Sequence, residues 1–416
     1  MAALPVTAVF DVGKTNKKVL LFDHAFQVVY EDSSSLPETR DEDGFPCEDI
    51  HLLTQWLRDR YAALRADHRF DIRRINFSGY GASFVLLDAR GQVVAPLYNY
   101  LKPYPQELQE QFYAKYGGQQ RLCRETASPA LGSLNSGLQL YRLKYEQPEL
   151  YARTKVALHL PNYLSYVLSG NCLSEITSIG CHTHLWNFEQ HDYHQWVKQE
   201  GITEKLAPVQ SCGSLAGVTA DGKLIGVGLH DSSAALVPYL KGIAEPFTLM
   251  STGTWSICLN PFNPLLLTDE ELAADCLCYL TPEGRQVKAS RLFLGSMHDS
   301  LCRDLSVQFG TSPEQYRQLP FDRDYIQRLL EDPAPVPDNF ANAYYQGLIP
   351  LVDQQVRQLE RIVTGTPVVQ LFVDGGFAQN AIFMGILKAK LPGFSIHAAD
   401  MPQASALGAA MGITAA

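Results

Sequence analysis

The sequence predicts an α/β protein of two related domains facing a cleft. Three observations lead there. A chain of 416 residues exceeds what one hydrophobic core sustains, so two domains of roughly 200 residues each are expected. Each half opens with a strand–turn–strand hairpin built around a glycine. Each half also carries a helix, then a strand, then a pair of glycines, which is the mark of a repeated supersecondary unit. The expected division lies near residue 240, giving domains 1–240 and 241–416.

Taken in order, Val6 to Val12 is apolar and strand-like, Gly13 to Asn16 makes a turn, and Lys18 to Phe22 resumes as a strand. Gln27 to Tyr30 reads as a third strand, completing an antiparallel meander. Leu52, Leu53, Trp56, Leu57, Tyr61 and Leu64 recur at helical spacing. Arg74 to Phe77 is a strand that runs into Gly79 and Gly81, with Phe84 to Asp88 as the next. Leu224 to Val227 is a strand ending at a turn before an apolar helical run. In the second half Phe247 to Ser251 and Trp255 to Leu259 flank the turn Thr252-Gly253-Thr254. A helix over Ala341 to Val363 precedes the strand Val368 to Val373, the turn Asp374-Gly375-Gly376 and a helix from Asn380 to Leu391.

Composition excludes several functions. With 46% hydrophobic and 19% charged residues the chain is ordinary globular material. A formal charge of -10 argues against nucleic acid or an anionic membrane as partner, since both require a basic face. No uninterrupted apolar run is long enough to span a bilayer. The opening MAALPVTAVFDVG lacks a basic start and a small-residue cleavage site, so a cytoplasmic protein is expected. Nine scattered cysteines in a chain of this size read as reduced thiols. Cys181, His182 and His184 lie close together, without the paired spacing that suits a tetrahedral zinc site. Strand alternation through CHTHLW would put Cys181, Thr183 and Leu185 on one face and both histidines on the other.

Four segments carry chemistry. In Asp11-Val12-Gly13-Lys14-Thr15-Asn16-Lys17-Lys18, Gly13 permits a turn whose successive N–H groups can point at a phosphate, while Asp11 could hold a hydrated magnesium ion. Alone it also reads as an ordinary β-turn with exposed lysines. Ser251-Thr252-Gly253-Thr254-Trp255-Ser256 places four hydroxyls around one glycine, or is simply a hairpin rich in threonine. Asp374-Gly375-Gly376 would let a flat base or ribose approach the backbone, or merely joins a strand to a helix. In Gly228-Leu229-His230-Asp231-Ser232-Ser233, a carboxylate at the start of a helix can accept the proton of an attacking hydroxyl, or act as a cap. The two commonest nucleotide motifs, G-x-G-x-x-G and G-x-x-x-x-G-K-[ST], are missing from the sequence.

In their order and spacing these segments resemble the FGGY carbohydrate kinase family along nearly the whole chain. FDVGKTNKKVLLFD is similar to that family's D-x-G-T-T-x-x-K hairpin, with Asp11, Thr15 and Lys18 matching and Lys14 in place of a threonine. INFSGYGASFVLLDARG looks like its sugar-contacting stretch. LKYEQPELYARTKVALHLPNYLSYVLSGN resembles its middle helical segment. His230-Asp231, STGTWS and GYGASFVLLD are closest to the L-rhamnulose kinase branch. The resemblance implies two ribonuclease H-like, actin-like ATPase domains, ATP and Mg²⁺ as co-substrate and metal, and phosphoryl transfer to a small sugar. L-rhamnulose or L-fuculose, phosphorylated at a primary hydroxyl, is the substrate it implies. It further implies Asp231 as catalytic base, and sugar contacts at Gly81, Ser83, His230, Asp231 and Ser232. Nucleotide contacts would fall at Gly13, Lys14, Thr15, Asn16, Lys18, Thr252, Gly253, Thr254, Gly375, Gly376 and Asn380, with the metal at Asp11.

Two departures bear on the substrate. The family's aromatic-x-Asp-x-Arg element reads Tyr98-Asn99-Tyr100-Leu101-Lys102 here, without its carboxylate, and Ser83 stands where the rhamnulose branch has an aspartate. A pocket that loses hydrogen-bonding groups should change its sugar. The alternative is a decayed kinase, or an ATP-regulated binding module of the same fold. Either could form a homodimer.

Overall fold

In a computed structural model the described residues are 3–332, 336–399, 401 and 403–414. Strands β1 (Leu4–Val12), β2 (Lys17–Phe22), β3 (Val28–Ser34), β4 (Phe70–Gly79), β5 (Leu215–Val218) and β6 (Leu224–Gly226) form the first large sheet. Its order is β3-β2-β1-β4-β6-β5, and the short strand Leu229–His230 pairs with the end of β4. The β1-β2-β3 meander is antiparallel, whereas β4 lies parallel to β1 and β6 parallel to β4. Strands β7 (Phe247–Thr252), β8 (Ser256–Asn260), β9 (Cys276–Leu280), β10 (Gln286–Leu292), β11 (Gln370–Gly375) and β12 (Ser395–Ala398) form the second, in the order β9-β10-β8-β7-β11-β12. There too antiparallel neighbours, β7/β8 and β8/β10, stand beside the parallel pairs β7/β11 and β11/β12, with β9 at the edge against β10. The expected repeat is therefore a repeat of topology.

The central strands read as apolar runs because both faces are covered. Val6, Ala8, Phe10 and Val12 of β1 pack with Trp56 and Leu57 of helix α1 (Ile50–Ala66), while Val9 faces the other way. Asp49 starts α1 by accepting the N–H groups of His51 and Leu52. In the second half, helix α3 (Phe340–Val363) covers the sheet through Tyr344, Leu348, Val352 and Leu359.

Two helices join the halves. Ala234 of α2 (Asp231–Gly242) packs with Val9 and Leu20 of the first sheet, and Leu236 and Tyr239 with Phe247 and Leu249 of the second. The last helix, α5 (Ala404–Thr414), returns to the first sheet, where Asn76 Nδ2 donates to the Ala409 carbonyl at 2.8 Å. It crosses α2 so closely that a Cβ on Gly408 would lie 1.8 Å from the Ala234 oxygen. Helix α4 (Ala381–Lys390) follows β11.

One local expectation fails. Cys181 to Trp186 is not an alternating strand: a single helical turn, Ile176–Ile179, runs into bends, and only Trp186–Asn187 is extended and paired. His182 and His184 have φ of 39° and 61°, the left-handed region, which breaks strand alternation. All nine cysteines are free thiols. Among the described residues no helix is long and apolar enough to cross a membrane.

Candidate active site

The same construction appears at the ends of the paired parallel strands in both sheets. In the first, Val12 is opposite Gly79 and Asp11 opposite Ser78; in the second, Thr252 is opposite Gly375 and Ser251 opposite Asp374. Each hairpin turn thus leaves its sheet beside a glycine at the end of the neighbouring strand.

The first turn is closed by the Gly13 N–H donating to the Asn16 carbonyl at 3.0 Å, leaving Thr15 and Asn16 exposed. Its support is a residue that sequence reasoning passed over. Lys17 is buried, and its Nζ donates to the carbonyls of Gly13 and Lys14, both at 3.1 Å, while pairing with Glu48 Oε1 at 2.5 Å. Glu48 Oε2 accepts the Tyr80 hydroxyl at 2.7 Å, tying the turn to the segment between Gly79 and Gly81. Lys14 Nζ lies on Glu38 at 2.6 Å, and Lys18 Nζ on the Gln403 side chain at 2.9 Å. Both expected phosphate donors are therefore engaged with other side chains.

The second hairpin is held by neutral groups. Gly253 N–H donates to the Trp255 carbonyl at 2.9 Å, and Thr252 Oγ1 donates to the Asp374 carbonyl while accepting the Phe377 N–H at 3.1 Å. Gly375 has φ 86°, and a Cβ there would sit 1.9 Å from the Thr252 oxygen, so this strand end requires glycine. Gly253, Thr254, Gly376 and Asn380 line a cavity of about 630 Å³ that is completed by His298, Asp299, Tyr316 and Arg317. Asn380 caps α4 by accepting the Phe383 N–H and donates to the Tyr344 hydroxyl at 2.8 Å.

Beside the first hairpin stands the start of α2, carried there by the pairing of Leu229–His230 with Ser78–Gly79. His230 caps it, Nδ1 accepting the Ser232 N–H at 3.2 Å, and Asp231 Oδ1 accepts that same N–H at 2.6 Å and the Ser232 hydroxyl at 3.3 Å. Asp231 is recessed, with about a third of its side chain open to water (34%), and desolvation raises its carboxyl above the ordinary range. Asp11 is raised to about 6, first by desolvation and further by the charge of Asp231, while the Ser405 hydroxyl at 2.9 Å opposes the shift. Two mutually repelling carboxylates in one recess make a donor set that suits a hard divalent cation, which takes oxygen ligands. Gly81 permits the close approach of His230: a Cβ there would meet its Cδ2 at 2.5 Å.

The sequence model of the FGGY family of carbohydrate kinases, N-terminal domain, matches residues 6–234, more than half of the chain. The chain belongs to that family. A rhamnulokinase of Halalkalibacterium halodurans is 25% identical over 258 residues, which is 59% of this chain and 52% of that protein. The chain thus spans about half the length of that curated relative. The fold is shared with a carbohydrate kinase of Novosphingobium aromaticivorans (TM-score 0.83, 24% identity, 98% of this chain and 93% of the other). It is shared also with a ligand-bound xylulose kinase of Lactobacillus acidophilus (TM-score 0.80, 14% identity, 99% and 89%). A third is the Plasmodium falciparum glycerol kinase with ADP (TM-score 0.79, 15% identity, 99% and 89%). The architecture is that of two actin-like ATPase domains.

Ser83, expected as a sugar contact, is buried and its hydroxyl donates to the Tyr98 carbonyl at 2.6 Å. Lys102, at the end of the element that lacks its carboxylate, is itself buried and pairs with Asp41 and Asp43, each at 2.6 Å. Sequence reasoning missed Lys17, Ser405, His298 and Tyr316. Nothing local marks them, because each acts through a partner more than 20 residues away.

Proposed function

We propose that the chain is an ATP-dependent kinase of a small sugar, with Asp231 as the base that accepts the proton of the attacking hydroxyl. The observation that carries this reading is the placement of Asp231 and Asp11 together, recessed, beside the first of two strand-end hairpins of matching register. Magnesium, where bound, supplies charge that neutralises the phosphates during transfer. Asp11 is the residue to hold it, with Ser405 fixing that carboxylate.

The phosphates of ATP would lie against the two turns, at Gly13, Thr15, Asn16, Thr252, Gly253 and Thr254. The about 630 Å³ cavity is roomy enough for an adenosine beside Gly376 and Asn380. Lys14 and Lys18 reach phosphate only by exchanging Glu38 and Gln403 for it. His230, Gly81 and Ser232 lie beside the carboxylate that faces the sugar, and Ser83 can offer it only a hydroxyl already donated to a carbonyl. Asp231 takes the hydroxyl proton as that oxygen bonds to the γ-phosphorus, the bond to the bridging oxygen breaks, and ADP leaves. Acceleration comes from positioning and electrostatics. The division into residues 1–240 and 241–416 fits this assignment, apart from α5, which contributes Ser405 from the far end of the chain. A ketose such as L-rhamnulose or L-fuculose is the substrate, consistent with the rhamnulokinase similarity.

The test is sugar-dependent ADP formation across ketoses, aldoses and polyols, repeated with Asp231→Asn. The variant should remain folded and lose on the order of 10²–10⁴ in turnover. Retention of most activity would remove Asp231 from the role of base, and ADP release indifferent to every sugar would favour a binding module.

A further inference from the structure

The failed strand at Cys181 to Trp186 has a chemical consequence. The left-handed turns at His182 and His184 send the two imidazoles to different places. His184 is locked between the hydroxyls of Tyr113 and Thr126, at 3.0 and 2.8 Å. His182 instead turns towards His230, the two rings lying 6.0 Å apart. One ligand atom from each of Cys181, His182 and His230 falls within 4.8 Å of the others, and all three residues are buried. Cys181 Sγ and His230 Nε2 are 3.2 Å apart. Ligands on adjacent corners of a tetrahedral zinc site stand roughly 3.3–3.8 Å apart, given Zn–S and Zn–N bonds of about 2.3 and 2.0 Å.

The surroundings also suit ligation. Metal-bound imidazoles donate their second ring N–H to a carbonyl or carboxylate, which fixes the tautomer. His182 Nδ1 lies 3.2 Å from the Leu134 carbonyl, and His230 Nδ1 lies 3.4 Å from Asp231 Oδ1. Donation by His182 Nδ1 leaves its Nε2 lone pair free; His230, whose Nδ1 accepts the Ser232 N–H, presents Nε2 to a metal only once its ring proton moves from Nε2 to Nδ1, where Asp231 Oδ1 can accept it. The left-handed, non-glycine backbone at His182 is the kind of strained conformation that clusters at functional positions.

We propose that Cys181, His182 and His230 form a binding site for a thiophilic divalent ion of the zinc class. One thiolate and two imidazoles select such an ion over magnesium, which prefers oxygen. Binding releases the Cys181 thiol proton to solvent as the metal–sulfur bond forms. The fourth position is left to water or substrate. Binding itself does not depend on the kinase reading; its consequence does. Because His230 belongs to the proposed sugar site and then donates to Asp231, an occupied site blocks sugar and ties up the base. Zinc inhibition should accordingly be competitive with sugar and not with ATP.

The experiment is titration of the full chain with Co²⁺, prepared with a non-thiol reductant. One equivalent should produce a thiolate-to-cobalt charge-transfer band, and Zn²⁺ should abolish it. Cys181→Ser should lose the band and weaken zinc binding by more than the roughly 10–100-fold that an outer-shell partner is worth. Cys47→Ser, remote from the cluster, should change neither. If Cys181→Ser fails to fold, His182→Gln serves in its place, and loss of affinity without loss of the band is then expected. A cobalt spectrum without a thiolate band, or equal affinity in wild type and Cys181→Ser, overturns the proposal. Cobalt ligation with no zinc effect on turnover would overturn only the inhibitory consequence.

Discussion

Replacing Lys17 by methionine tests whether the first turn is held from beneath by a buried charge. Lys17 is 2% exposed and Glu48 6%, so neither has water to fall back on. Methionine fills most of the lysine stem, which isolates the effect of the ammonium. Its loss strands Glu48 with only the Tyr80 hydroxyl for compensation, and leaves the Gly13 and Lys14 carbonyls without their donor. Breaking a buried pair on one side costs about 3–5 kcal/mol, most of it the penalty of the charge left behind. That origin makes a second prediction: Glu48→Gln keeps an acceptor for Tyr80 while removing the charge, so Lys17→Met/Glu48→Gln should regain much of the loss. Equilibrium urea unfolding of the four proteins gives the coupling energy directly. If the product-forming assay is in hand, Lys17→Met should also raise the KM for ATP more than that for sugar, because the turn and not the α2 start has loosened. A single-variant cost below about 1 kcal/mol, or a double variant no more stable than Lys17→Met, would refute the clamp.

Glu175 is a buried N-cap whose Oε2 accepts from the Thr177 N–H and hydroxyl and the Ser178 N–H, while Oε1 has no hydrogen-bond partner among the described residues. Burial raises its carboxyl from 4.5 to about 7. The native state then holds a proton that the unfolded chain has released, so stability should fall as pH rises from the unfolded value to about 7, by at most about 1.4 kcal/mol per pH unit. Glu175→Gln should flatten that slope in urea titrations at pH 5 and 8; an unchanged slope would show that another group causes it. Gly375→Ala forces a side chain into a left-handed position against the Thr252 carbonyl. It should cost at least about 1 kcal/mol and weaken nucleotide binding, read by denaturation and by ADP titration.

What was legible in the sequence is what depends on neighbours along the chain. Gly13 and Gly253 mark their turns because flanking apolar runs share one period, and α3 announces itself over Phe340–Val363 through its repeating stripe. Asp231 at a helix start was readable for the same reason. What escaped depends on distance in sequence. Lys14, Lys17 and Lys18 look alike on the page, yet only Lys17 points inward, because Glu48 waits for it 31 residues later. A division at one residue number could not show that α5 returns to the first sheet and hands Ser405 to Asp11. Nor does the composition of CHTHLW reveal a left-handed backbone at two histidines, which decides which of them meets His230.

The matching registers also explain why the two halves divide their chemistry. At corresponding places the first sheet carries Asp11 on its leading strand and Ser78 on the parallel neighbour, whereas the second carries Ser251 and Asp374, with the acid exchanged across the pair. In the first half the acid beside the hairpin remains on the leading strand, where burial and then the charge of Asp231 raise it and a bound cation would relieve it. In the second the acid sits on the neighbouring strand and is satisfied locally, Oδ1 accepting the Gly375 N–H at 2.7 Å and Oδ2 the Tyr239 hydroxyl at 3.2 Å. Its hairpin then offers hydroxyls and backbone N–H groups, which can meet phosphate oxygens without a competing negative charge at the turn itself. One half is thereby suited to hold metal and the other to hold anion, from a single strand plan in which one carboxylate has changed places with one serine.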